Sequence, residues 1–174
     1  MVDIDFASVA PITIVIDGPS GAGKTWLANY LASTWPRNRR VEILHMDDVY
    51  PGWDGLVAGS QVVSDLLVNQ RALSRPVSWQ RYDWEKESLT EWMRIPPDVD
   101  LIVEGCGALT AGSAAVAQLS IWINADEVRR KARALGRGGE SFDEHWDNWD
   151  AQFVNFIKIH NPQRLASLVV RQER

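Results

Sequence analysis

The chain has 174 residues, 45% hydrophobic and 24% charged, which suits one globular domain and argues against a disordered or fibrous chain. Eighteen basic residues against twenty-three acidic ones leave a formal charge of -5, the wrong sign for a sheath around nucleic acid. One cysteine, Cys106, rules out a disulfide framework, and no Cys/His set has zinc spacing. The stretch MVDIDFASVAP lacks the basic segment and apolar core of a signal peptide. No apolar run approaches the roughly 20 residues that span a bilayer, so a cytoplasmic protein without a membrane partner is expected. Nine tryptophans are many for this length, and they serve either a core or a planar ligand.

Short β-rich runs alternate with helical stretches. Residues 11–17 (PITIVID) form a continuous apolar, branched run that predicts a strand buried on both faces. A glycine-rich loop spans 18–23. A helix is predicted from 24 to about 34, stopped by Pro36. Residues 41–46 (VEILHM) read as a second strand, 47–59 as a turn-rich loop and 60–72 as a helix. The stretch 74–83 reads as irregular, and 86–95 as a short helix ended by Pro96 and Pro97. Residues 101–104 (LIVE) and 119–123 (LSIWI) read as two further strands. Asn124, with Glu127 three residues on, predicts the start of one helix, and Ser141 with Glu144 the start of another. The second carries Phe142, Trp146, Trp149, Phe153 and Phe156 on an apolar stripe that reads as core. Residues 166–171 (ASLVVR) make a last strand. This alternation predicts a single α/β domain over 1–174 with a parallel sheet.

Residues 18–25, GPSGAGKT, satisfy G-x-x-x-x-G-K-[ST] at every fixed position, between a predicted strand and a predicted helix. The glycines let the main chain curl so that several N–H groups face one anion. The following helix offers its positive end to phosphate. Gly18, Ser20, Gly21, Ala22, Gly23, Lys24 and Thr25 are therefore the candidate nucleotide-binding residues, with Lys24 at the terminal phosphates. The Thr25 hydroxyl suits Mg2+. The expected cofactors are ATP and Mg2+.

Three further groups carry candidate chemistry. Asp47 and Asp48 follow the second strand, at the end where parallel sheets gather ligands; a carboxylate there either receives a hydroxyl proton or sits in a solvated turn. Glu104 ends an apolar strand, where an acid commonly holds the Mg2+ shell, and is paired with Thr25 as the metal candidate. Arg133 and Arg137 precede Gly138 and Gly139, a pattern that suits a mobile lid over about 133–142 closing on the transferred phosphate. Arg129, Arg130 and Lys131 read as a solvated face. Tyr82, Asp83 and Trp84 combine a phenol, a carboxylate and an indole that suit a sugar and a ring.

The ordered set GPSGAGKT, MDDVY, RYDW, IVEG and an arginine lid resembles the uridine kinase and nicotinamide riboside kinase group over nearly the whole chain. The resemblance implies a P-loop kinase fold: three α/β/α layers around a five-stranded parallel sheet, with a lid. It implies Asp47 as base, Tyr50, Tyr82, Asp83 and Trp84 as acceptor contacts, Glu104 as the acid after the third strand, and Arg133 and Arg137 as lid arginines. The chain departs from the group at Glu87 and Leu89, which stand where a histidine and an arginine are usual. PGWDGL replaces an acid-rich stretch after the base, and Gly138 stands where an aspartate is usual. The expected function is ATP- and Mg2+-dependent phosphorylation of a small-molecule hydroxyl, foremost a nucleoside or ribosyl compound. The alternatives are a P-loop kinase for a non-nucleoside acceptor and a nucleotide-binding regulatory protein without kinase activity. The sequence leaves the oligomeric state open.

Overall fold

The computed structural model describes residues 10–171, apart from the side chains of residues 137–141. Five parallel strands form one sheet in the order β2-β5-β1-β6-β7, where β1 is Thr13–Asp17, β2 Val41–His45, β5 Asp100–Glu104, β6 Leu119–Asn124 and β7 Leu168–Arg171. The sequence reading found each of these within a residue or two. All five residues of both β1 and β5 are buried, as their unbroken apolar runs require of central strands covered on both faces.

Alternation along β1 then sorts the core into two layers. Ile14 and Ile16 face α1 (Lys24–Ser33) together with Ala28, Ile102, Ile121 and Ile123. Val15 points to the opposite face with Leu101, Val103 and Trp122. There it meets α2 (Leu56–Asn69), α3 (Ala111–Val116) and the aromatic stripe of α4 (Glu127–His160). A short α5 (Pro162–Leu165) leads into β7. The result is the three-layer α/β/α arrangement.

Three sequence expectations about elements are corrected. The stretch 74–83 is not irregular and 86–95 is not a helix: β3 (Val77–Asp83) and β4 (Ser88–Ile95) pair as an antiparallel hairpin outside the main sheet. Val77, Trp79 and Ile95 anchor it in the core, while Trp92 and Leu89 stay exposed. Only one end of the hairpin is buried, so no sustained alternation marks it in the sequence. The start of α4 is capped by Asp126, whose carboxylate accepts from Arg129 N at 3.0 Å, rather than by Asn124.

The two helices expected from 124 and 141 fall within one helical span, Glu127–His160, but it is not a straight rod. Arg130 Nη2 lies 2.9 Å from Asp150 Oδ1, although a straight helix would hold residues twenty positions apart at about 30 Å. The Arg130 guanidinium and the Lys131 ammonium each lie 5.3 Å from the Trp146 ring. The element therefore folds back between Lys131 and Trp146, the interval that holds the expected lid. Among the described residues no helix is long and apolar enough to cross a membrane.

Candidate active site

Sheet register assembles the site. Ile16 and His45 both pair with Glu104, and Asp17 pairs with Trp122. The carboxyl ends of β1, β2 and β5 thus bring Asp17, His45 and Glu104 to one edge, beside the point where the strand order reverses, the usual place for a ligand in such sheets. A cavity of about 230 Å3 opens there, walled on one side by Ser20, Lys24, Thr25 and Glu104.

The phosphate loop is held in a tight curl. Gly21 has φ +76°, and a Cβ there would lie 2.0 Å from Arg130 O, so no other residue fits. Gly23 caps α1 with no side-chain hydrogen bond, leaving the first amides of the helix without a side-chain acceptor. Lys24 folds back over the loop: Nζ donates to Gly18 O at 2.8 Å and Pro19 O at 3.0 Å, and lies 3.4 Å from Cys106 Sγ. Burial lowers the Lys24 pKa, but neighbouring Cys106, Glu104 and Asp17 outweigh it and hold the ammonium above its ordinary value. It stays charged, ready for an anion.

Thr25 Oγ1 donates to Glu104 Oε1 at 3.0 Å, and His45 Nδ1 lies 2.7 Å from the same oxygen. Burial pushes the Glu104 carboxyl up; the His45 hydrogen bond, the Lys24 charge and the Thr25 hydrogen bond outweigh it and leave it below the ordinary value. The same bond raises His45. A hydroxyl and an ionised carboxylate side by side at the loop exit are hard oxygen donors that fit Mg2+, which takes few protein ligands and keeps water and phosphate oxygens. Among the described residues no group of three His, Cys, Asp or Glu could hold a metal unaided.

Asp17 sits beneath the loop. Its Oδ1 accepts from Gly18 N at 2.6 Å and Gly107 N at 3.0 Å, and its Oδ2 from Leu109 N at 2.9 Å. One buried carboxylate thus ties the start of the phosphate loop to the loop after β5. Burial raises it to about 6, against the pull of these amides and of Lys24.

Asp47, Tyr50, Trp53, Trp84, Phe142 and Trp149 complete the lining, and Trp149 Nε1 donates to Ser20 Oγ of the loop at 3.2 Å. Asp47 lies in the helical turn after β2, Met46–Asp48, and Trp84 Nε1 donates to its carbonyl at 2.9 Å. Tyr50 is buried, and its hydroxyl donates to Cys106 O at 2.6 Å. Burial holds that phenol well above its ordinary pKa, so its role here is shape and hydrogen bonding.

The candidates divide accordingly. Ser20, Lys24, Thr25, Asp47, Tyr50, Trp84 and Glu104 line one cavity. Asp83 does not: it accepts from Glu85 N, Lys86 N and Lys86 Nζ at the hairpin turn. Tyr82 packs edge-on against Trp84 at 5.2 Å and reaches the cavity only through it. Arg133 is exposed on α4, and the Arg137 side chain lies outside the described residues. The solvated face expected of Arg130 is corrected: it is buried, pairs with Asp150 and presses its carbonyl against Gly21. Sequence reasoning missed Trp53, Phe142, Trp149, His45 and Cys106. Trp149 and Phe142 belong to the stripe read as core; only register could have placed His45.

No family model matches the chain, and no curated protein matches it. Solved structures do. A possible uridine kinase of Bacillus stearothermophilus superposes with a TM-score of 0.65 at 18% identity, covering 94% of this chain and 90% of that one. A protein assigned as a fructose transport system kinase of Silicibacter sp. TM1040 superposes with a TM-score of 0.57 at 17% identity, covering 95% and 92%. With its strand order, its phosphate loop and the acid at the end of β5, the chain has the fold of the uridine-kinase-like P-loop kinases.

Proposed function

We propose that the protein is an ATP- and Mg2+-dependent phosphotransferase acting on a small-molecule hydroxyl, foremost that of a nucleoside or similar ribosyl compound. The observation that carries this is that Lys24, the hydrogen-bonded Thr25–Glu104 pair and Asp47 line one and the same cavity. The loop amides and Lys24 hold the phosphate tail. Thr25 and Glu104 would hold Mg2+, which spreads the charge of the phosphates when bound. Asp47 takes the proton of the acceptor hydroxyl as its oxygen bonds to the terminal phosphorus. The bond from that phosphorus to the bridging oxygen breaks, and ADP leaves with the electron pair. Tyr50 and Trp84 shape the acceptor end. Arg133 and Arg137 close over the transferred group when the folded-back part of α4 moves.

The test is ADP release with Mg2+ and ATP across nucleosides, sugars and sugar acids. Turnover with one acceptor, abolished in Lys24→Ala, supports the reading. Ordinary turnover in Lys24→Ala refutes it. Tight ATP binding without any acceptor-stimulated release would instead indicate a nucleotide-binding regulator.

A further inference from the structure

Beneath α1 the sheet carries an apolar layer that includes Ile43 of β2 and Ile102 of β5. Alternation puts His45 and Glu104 on that same face, and register makes them direct neighbours at the carboxyl ends of the two strands. His45 Nδ1 lies 2.7 Å from Glu104 Oε1, and the Thr25 hydroxyl donates to that same oxygen at 3.0 Å. The Glu104 carboxyl is held below its ordinary pKa, so at neutral pH it only accepts. Nδ1 therefore carries the hydrogen of this contact, whichever charge the imidazole has.

The two donors converge on one oxygen and leave the other. Glu104 is 4% exposed, yet among the described residues no group bonds its Oε2, and that atom is not sealed from solvent. Glu104 lines the cavity, so Oε2 opens into it. A carboxylate buried for stability alone is satisfied at both oxygens, because an unmade hydrogen bond at a buried polar atom costs free energy. Thr25 is divided in the same way: its hydroxyl gives its one hydrogen to Glu104, which leaves its lone pairs for another partner. His45 does not line the cavity, so whatever it does there it does through Glu104.

We infer that His45 is a positioning residue for the metal site: its Nδ1–H pins Glu104 by one oxygen, so that the second oxygen and the Thr25 lone pairs stay available to Mg2+. This rests on the Mg2+-dependent phosphotransfer reading and deepens it. Without the imidazole, Thr25 alone holds Oε1, and the carboxylate turns about its last torsion, which has no sharp minimum of its own. The two oxygens then lose their separate duties. Loss of a hydrogen-bond partner behind a metal ligand lowers metal affinity by about 10- to 100-fold.

The experiment compares His45→Ala, which cannot donate, with His45→Asn, whose amide nitrogen stands as far along the side chain as Nδ1 and donates in its place. The probe is Mn2+, a hard ion that takes the same oxygen ligands as Mg2+. Free Mn2+ is read by electron paramagnetic resonance, with the protein in excess over a non-hydrolysable ATP analogue. His45→Ala should weaken Mn2+ binding by about 10- to 100-fold and His45→Asn by less than about threefold, with metal-free analogue affinity within about twofold in both. In turnover, the Mg2+ concentration for half-maximal rate should rise by a similar factor in His45→Ala, while kcat at saturating Mg2+ stays within about threefold. A histidine that only tied β2 to β5 would lower the unfolding midpoint and leave the metal constants alone. Mn2+ binding in His45→Ala within about twofold of the parent, or a loss in His45→Asn as large as in His45→Ala, overturns the inference and leaves phosphotransfer intact. A parent that holds Mn2+ no more tightly than the analogue does by itself removes the metal site, and inference and phosphotransfer reading fall together. Should His45→Ala fail to fold, His45→Gln takes its place, since its amide lies one bond further out: metal binding about tenfold weaker than in His45→Asn supports the inference, and equal binding overturns it.

Discussion

Asp17→Asn tests how the phosphate loop is held, because the carboxylate beneath it is both buried and engaged by three main-chain amides. Its pKa stands at about 6 in the folded chain against 3.8 as the ordinary value. The folded state thus binds the proton more tightly. Between those two values it carries more protons than the unfolded chain, so this group's contribution makes stability fall as pH rises through the window. At 1.36 kcal/mol per pH unit the rise amounts to about 3 kcal/mol, fully expressed above pH 6 and absent below pH 4. Asparagine is nearly isosteric with the neutral acid and does not titrate. It has one acceptor oxygen, so one buried amide is left facing an NH2 group, a loss of about 1–3 kcal/mol at every pH.

The assay is urea unfolding of both proteins at pH 4 and pH 7.5. Carboxylates with lowered pKa values, such as Glu104 and Asp100, give the opposite pH slope, but they are common to both proteins and cancel in the difference. The variant should start less stable at pH 4 and gain about 3 kcal/mol on the parent by pH 7.5, a relative shift of about 1.5 M urea for a slope near 2 kcal/mol/M. A difference between the two proteins that does not change with pH would refute the reasoning.

Asp47→Asn should keep the affinity for a non-hydrolysable ATP analogue within about twofold and lose turnover by about 10^2- to 10^4-fold; equal loss of both in paired binding and turnover assays would remove its proton-accepting role. Asp100→Ala probes the opposite end of β5. That carboxylate holds Arg39, accepts from Trp35 Nε1 at 2.8 Å and accepts from Ile12 N at 2.7 Å. Removing it takes the carboxylate from the Arg39 guanidinium and the acceptor from both Trp35 Nε1 and Ile12 N, so denaturant unfolding should show a loss of about 3–5 kcal/mol. Nucleotide affinity of the folded protein should be unchanged, because four residues of strand, about 13 Å, separate Asp100 from Glu104.

What was legible in the sequence follows the range of the interactions. The phosphate loop is a run of eight consecutive residues whose function rests on its own main chain, so its spacing suffices to read it. The central strands β1 and β5 were legible because burial on both faces leaves an unbroken apolar run. The β3–β4 hairpin was not: Arg81 pairs with Glu91 across it at 2.7 Å and Trp92 is exposed, so its face carries charge where a reader of periodicity looks for apolar residues. The start signals at 124 and 141 predicted two helices; one helical span, Glu127–His160, covers both, and the chain folds back within it.

The aromatic part of the cavity was hidden for a related reason. Its wall draws on residues 47–53, 84 and 142–149, segments with no shared spacing, brought together only when α4 folds back on itself. On α4 the aromatic stripe runs without interruption from Phe156 and Phe153, packed under the sheet, to Trp149 and Phe142 at the cavity. Helical period is the same on both sides of that boundary. Trp149 belongs to both: it meets Tyr50 edge-on at 4.7 Å within the core and gives its indole N–H to Ser20 of the phosphate loop. The stripe that stabilises the fold therefore also sets where the aromatic lining stands relative to the phosphate loop, and on the proposed phosphotransfer a substitution at Trp149 acts on packing and on the reacting distance together.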